Sequence, residues 1–221
     1  MIFNQSCKLI RENFVINNEN LQCVKEYKYL GLLLNCGGNF SSASAYLLHR
    51  GQKAFFKLKS IFKNGSPSVK TMINIFDHTV KPVLLYCSEV WGMLKTSCSY
   101  NKRNLNCGEN FIFNMYKNNK IEKLNVKFCK YVLGVGNKTS NLAVTGELGR
   151  YPLYIDVILS MVKYWLYLNK SQSKLLQEAL CENLYMLQNN QNSWVICIYS
   201  ILKELKMLKV FNNVEIEILI K

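Results

Sequence analysis

Aspartate is almost missing from this sequence: among 221 residues it occurs only as Asp77 and Asp156. Neither has an acidic neighbour, so the chain holds no adjacent pair of the kind that clamps two metal ions. Histidine is equally scarce. His49 sits beside Arg50, and His78 follows Asp77 directly, which on a helix makes their side chains diverge. No nucleophile, base and orienting group can be assembled from them by spacing. Proline occurs three times against 49% hydrophobic residues, a balance that excludes disorder throughout. Close cysteine pairs are absent too. The nine cysteines, at 7, 23, 36, 87, 98, 107, 129, 181 and 197, are scattered and odd in number. That pattern speaks against a zinc knuckle and for reduced thiols in a cytoplasmic or nuclear protein. The expectation is no metal and no cofactor.

No signal-like leader and no membrane span are expected either. The first residues lack the charged start and apolar run of a secretory signal. The most apolar stretch, residues 151–168, is interrupted by Asp156 and Lys163 and lacks the run of about 20 apolar residues a span needs. Gly134-Val135-Gly136 follows a helical pattern instead of a strand, so it is no phosphate loop. Internal repeats are not found.

What the chain does have is positive charge. Lys and Arg number 28 against 14 acids, a net charge of +14. Such an excess favours a polyanionic partner, nucleic acid before an anionic membrane. A merely lysine-rich solvated surface has the same composition, so charge leaves both open.

The pattern along the chain begins with short strands and turns helical. Residues 14–16 and 21–24, separated by Asn17-Asn18-Glu19-Asn20, suggest a hairpin, since asparagine tolerates the turn. Residues 27–34 give a further strand, closed by Cys36-Gly37-Gly38-Asn39. From residue 40 to 63 the period is helical: Leu47, Leu48, Gly51, Ala54, Phe55, Leu58, Ile61 and Phe62 share one face, with Arg50, Lys53 and Lys57 in a stripe outside it. Asn39 or Ser41 is the expected cap. Asn64-Gly65-Ser66-Pro67 ends that helix, and Pro67 opens another to about residue 80. Residues 83–94 read as a separate buried helix containing Glu89. Polar, aperiodic residues 96–108 read as a flexible loop. Helices are then expected over residues 110–133, 139–148, 152–169, 171–187 and 193–210, with the tail at 214–220 open between strand and helix. The fold class is mainly α with a small N-terminal antiparallel β-sheet.

Three segments stand out in order: Tyr27-Lys28-Tyr29-Leu30-Gly31, Tyr86-Cys87-Ser88-Glu89-Val90-Trp91-Gly92 and Glu147-Leu148-Gly149-Arg150-Tyr151-Pro152-Leu153. As an ordered set the sequence resembles the region following the catalytic core in reverse transcriptases of non-LTR (LINE-type) retrotransposons, over roughly residues 1–170. One departure is Cys87, where that family usually carries Gly after the tyrosine. The resemblance implies a palm remnant with a primer-grip hairpin at 1–39, thumb-like helices at 40–95, the loop at 96–108 and a C-terminal helical region at 109–221. Met1-Ile2-Phe3-Asn4 resembles the strand entering that hairpin, which places the polymerase carboxylates before residue 1.

The resemblance further implies an RNA or DNA template-primer as partner and no catalysis by this chain. Tyr29 offers an aromatic surface to a sugar or base, and Gly31 lets backbone approach a phosphate closely. Arg50, Lys53 and Lys57 track the duplex backbone without reading sequence. Arg150 is expected to pair with Glu147 or a phosphate. No small-molecule substrate is implied. Two other readings remain beside this one: a helical protein-interaction module, and an inactive pseudogene product.

Overall fold

A computed structural model describes residues 14–92, 112, 119–189 and 193–211. The fold is mainly helical, with a small N-terminal portion of antiparallel strands. The chain divides into two compact units, Met1–Cys87 and Ser88–Lys221. The expected loop at 96–108 and the tail at 214–220 lie outside the described residues.

The first unit opens with two separate hairpins in place of one sheet. Strands β1 (Phe14–Ile16) and β2 (Glu19–Leu21) pair with Phe14 opposite Leu21 and Ile16 opposite Glu19. Their turn is Asn17-Asn18, with φ of 49° and 65°. Positive φ at both central residues defines a type I′ turn, whose twist matches paired strands and which asparagine tolerates. Residues 27–34 do not form the one strand their pattern suggests; they fold back around Tyr29-Leu30-Gly31, where the resemblance implies a hairpin turn. Here β3 (Glu26–Tyr29) pairs with β4 (Leu32–Asn35) around Leu30 (φ 46°) and Gly31 (φ 88°), a second type I′ turn. The Cys36 N–H donates to Lys25 O at 2.8 Å and closes the ribbon.

Helix α1 (Ser41–Gly65) buries Ala43, Leu47, Gly51, Phe55, Leu58 and Phe62, a stripe at helical spacing. Phe55 meets Phe76 of α2 (Val69–Thr79) edge to face, centroids 6.4 Å apart. Phe40, not the expected Asn39 or Ser41, is the N-cap residue of α1 and supplies no side-chain cap. Asn39 Oδ1 instead accepts the Ser41 N–H at 3.2 Å in a turn just before the helix. At the other end Gly65 remains helical and Ser66 takes the left-handed position, φ 42°. Ser68, not Pro67, caps α2: its side chain accepts the Thr71 N–H at 3.2 Å. Helix α3 (Lys81–Leu84) carries Pro82 in its first turn, where the missing N–H costs nothing. A Cβ on Gly51 would stand 2.2 Å from Leu84 Cδ2, so glycine is what lets α1 and α3 approach this closely.

The helix expected over 83–94 is broken. It ends at Leu84, turns through residues 85–87 with Cys87 at φ 55°, and resumes as α4 (Ser88–Trp91). That second piece belongs to the second unit, with α5 (Lys120–Val132), α6 (Asn141–Glu147), α7 (Leu153–Lys170), α8 (Lys174–Gln188) and α9 (Trp194–Glu204). Helix α7 is its centre, packing against α4, α5, α8 and α9. It buries Leu153, Val157, Ile158, Met161, Trp165 and Leu168, and Trp165 stacks in parallel on Phe211 at 5.4 Å. No helix among the described residues is long and apolar enough to cross a membrane.

Candidate nucleic-acid interface

Helical periodicity carries Tyr46, Arg50, Lys53 and Lys57 along one side of α1, at i, i+4, i+7 and i+11. Their span is about 16 Å of helix axis. Arg50, Lys53 and Lys57 are exposed, clear of the buried stripe. Among the described residues, none of the three is paired with a carboxylate.

Two residues not singled out from the sequence extend this stripe. Lys28 on β3 places Nζ 5.4 Å from the centroid of the Tyr46 ring, and Arg50 Cζ lies 5.8 Å from the same centroid. A hydrogen bond from Lys28, then the charges of Lys28 and Arg50, hold the Tyr46 phenol below its ordinary pKa against the opposing effect of desolvation. Strand β3 is fixed to α1 by Glu26, whose Oε1 accepts from Ser42 Oγ at 2.5 Å and from Asn35 Nδ2 at 3.3 Å. Spacing from Tyr46 to Arg50 was legible in the sequence. The approach of Lys28 was not, because it depends on how the hairpin folds.

Tyr29 is 57% exposed at the end of β3 and, by strand alternation, points away from the Lys28 side of the ribbon. The structure therefore joins the hairpin to the basic stripe through Lys28, not Tyr29. At Gly31 the close approach is made by Tyr86: an added Cβ would stand 3.3 Å from its Cε1. Tyr86 Oη also donates to Leu30 O at 2.5 Å. The first two sequence segments thus meet in a clamp on the hairpin turn. The left-handed Leu30, uncommon for an L side chain, sits under that hydrogen bond.

Cys87, next to Tyr86, also has left-handed φ, a state that glycine adopts without cost. Cys87→Gly is accordingly expected to stabilise the chain by about 1 kcal/mol, read as a raised melting temperature. A lowered one would show that the thiol's contacts outweigh backbone strain.

The third segment has a structural role. Arg150 Nη2 lies 3.5 Å from Asn125 Oδ1, and the guanidinium stands over the Phe128 ring at 5.7 Å, near the charge of Glu122. Glu122, though acidic, is buried on α5. Its carboxylate accepts the Leu153 N–H at 2.7 Å and Asn125 Nδ2 at 2.9 Å, and the Tyr154 N–H also serves it. A side chain from α5 therefore caps α7.

Other candidates resolve into structure. His78 Nδ1 is 2.7 Å from Asn74 O, within its own helix turn. Asp156 sits in the first turn of α7, where the helix dipole favours a carboxylate, and Asp77 lies on α2. Glu89 contributes its backbone carbonyl, which accepts from Trp194 Nε1 at 2.9 Å. Of the six described cysteines, Cys36, Cys129 and Cys197 are buried. Among the described residues no group of three or more His, Cys, Asp or Glu is placed to hold a metal ion.

No protein-family model, curated protein or solved structure matches this chain.

Proposed function

We propose that this chain derives from the segment following the catalytic core of a non-LTR retrotransposon reverse transcriptase. In this reading its first unit binds the backbone of a template-primer duplex and carries out no polymerisation. The observation that carries it is the stripe of Arg50, Lys53 and Lys57, exposed on one side of α1 and without carboxylate partners among the described residues. Such a row of cations binds phosphates by displacing condensed counterions and reads no sequence. Further support comes from Cys87: the position where the resemblance expects glycine has a backbone that favours glycine. In this reading Tyr29, exposed on the side of the ribbon away from Lys28, meets the strand apart from the stripe, and Gly31 is the residue that permits the turn. The absence of catalysis follows from the two isolated aspartates in the sequence.

Replacing Arg50, Lys53 and Lys57 together by glutamine is expected to weaken duplex binding in a filter assay for every sequence tried. The slope of log affinity against log salt should flatten by roughly three. Unchanged affinity and slope would sink the reading.

A second reading, a protein-interaction module, draws on one observation: every residue of β1 and β2 is exposed, including Phe14, Val15, Ile16 and Leu21. An apolar ribbon of this kind suits a protein partner. Duplex binding that is lost with the α1 cations decides for nucleic acid.

A further inference from the structure

The cluster of Lys28, Tyr46 and Arg50 supports a more specific statement, which rests on the duplex-binding reading above. We propose that these three side chains form a seat for a single phosphate group of the bound strand, tying the β3–β4 hairpin to the start of the α1 stripe. Lys28 Nζ and Arg50 Cζ lie 5.4 Å and 5.8 Å from one ring centroid, so two like charges are gathered on a single neutral side chain. Among the described residues neither has a carboxylate partner; their acceptors are the ring and phenol oxygen of Tyr46. Like charges held together without an anion repel, and a phosphate relieves that repulsion while accepting from both. Glu26, the carboxylate two residues from Lys28, is engaged by Ser42 and Asn35. Those contacts also hold β3 against α1, so the seat exists before ligand arrives and little ordering is needed on binding.

The three side chains suit the ligand. Arginine presents a planar fork of donors to phosphate oxygens, lysine a point charge, and the phenol a neutral donor. The cations also draw the phenol toward ionisation, which strengthens its O–H as a donor.

The test is fluorescence anisotropy of a dye-labelled duplex with the full chain across a salt series. Lys28→Gln should weaken binding several-fold on every sequence and flatten the salt slope by about one, because one phosphate contact is lost. Tyr46→Phe should weaken it by about three- to tenfold with the slope unchanged, because a neutral hydrogen bond is lost. Lys28→Arg should retain affinity, separating loss of charge from a disturbed hairpin. A duplex carrying a 5′-phosphate distinguishes the source. Tighter binding to it, abolished in Lys28→Gln, assigns the seat to a terminal phosphate, and equal binding assigns it to an internal phosphodiester. Should Lys28→Gln and Tyr46→Phe bind like the parent while Lys53→Gln/Lys57→Gln binds more weakly, the seat is wrong and the duplex reading stands. A parent chain that binds no duplex overturns both.

Discussion

Gly92→Ala should destabilise the Ser88–Lys221 unit by about 3 kcal/mol. A Cβ on Gly92 would stand 2.2 Å from Val157 Cγ1 and 2.5 Å from Ser88 O. The first contact is with a buried side chain on α7, and the second is with backbone, which cannot swing aside. Relief of the first requires α4 and α7 to separate, opening space around Val157, and relief of the second requires the end of α4 to distort. Close-packed interiors transmit such shifts instead of absorbing them. The measurement is favourable because Trp91, Trp165 and Trp194 all lie in this unit. Their fluorescence during urea unfolding therefore follows it without interference from the hairpins and α1. Gly146→Ala is the control: nothing lies within 4 Å of its Cβ position, and alanine improves the helix by about 1 kcal/mol. Equal urea midpoints for Gly92→Ala and the parent would show that the two helices are not held at this contact.

The second large effect is expected at Glu122. Its replacement by alanine removes the acceptor for the Leu153 and Tyr154 N–H groups at the start of α7 and for Asn125 Nδ2. It also leaves the Arg150 guanidinium without the nearby charge. Orphaned buried donors and a broken charged network together cost about 3 kcal/mol. Glu122→Gln should cost less, since its remaining oxygen still accepts one of these bonds.

The same side chain sets a pH dependence. Burial raises the Glu122 carboxyl above its ordinary pKa, outweighing the bonds from Asn125, Leu153 and Tyr154 and the charge of Arg150, which lower it. The folded chain therefore holds this proton more tightly than the unfolded one. Its contribution to stability is fully present below the unfolded carboxylate value, about 4.3, and is lost as pH rises through the raised folded value. The difference in urea midpoint between parent and Glu122→Gln should shift against the parent over that window and then level off. A difference that stays flat would mean that the partners balance the penalty of burial, and one that moves the opposite way that they outweigh it.

Legibility from sequence varied with the range of the interactions involved. In α1 the apolar period correctly marked Leu47, Gly51, Phe55, Leu58 and Phe62 as buried, because a long helix fixes which residues share a face. It overreached at Ile61, which is 53% exposed at the edge of that stripe. The central helix α7 was bounded to within a residue at each end, since Pro152 and the polar run after Asn169 punctuate it locally. In contrast, residues 83–94 looked like one apolar helix and are not. Their break at Cys87 accompanies the bond from Tyr86 to Leu30, 56 residues away, and the contact of Gly92 with Val157. Residues 27–34 looked like one strand by pattern, and the turn around Tyr29-Leu30-Gly31 was expected only from the resemblance; the pairing of Tyr29 with Leu32 fixes its register.

The candidate interface divides along the same line. Sequence by itself determined the basic balance, the lack of paired aspartates, and the stripe of Arg50, Lys53 and Lys57, because composition and helical period are properties of the chain alone. Only the tertiary structure brought Lys28 to Tyr46, set Tyr86 beneath the Leu30–Gly31 turn and made Glu122 the cap of α7. Each of those depends on groups far apart in sequence, whose approach follows from packing whole elements together and leaves no periodic trace in the chain.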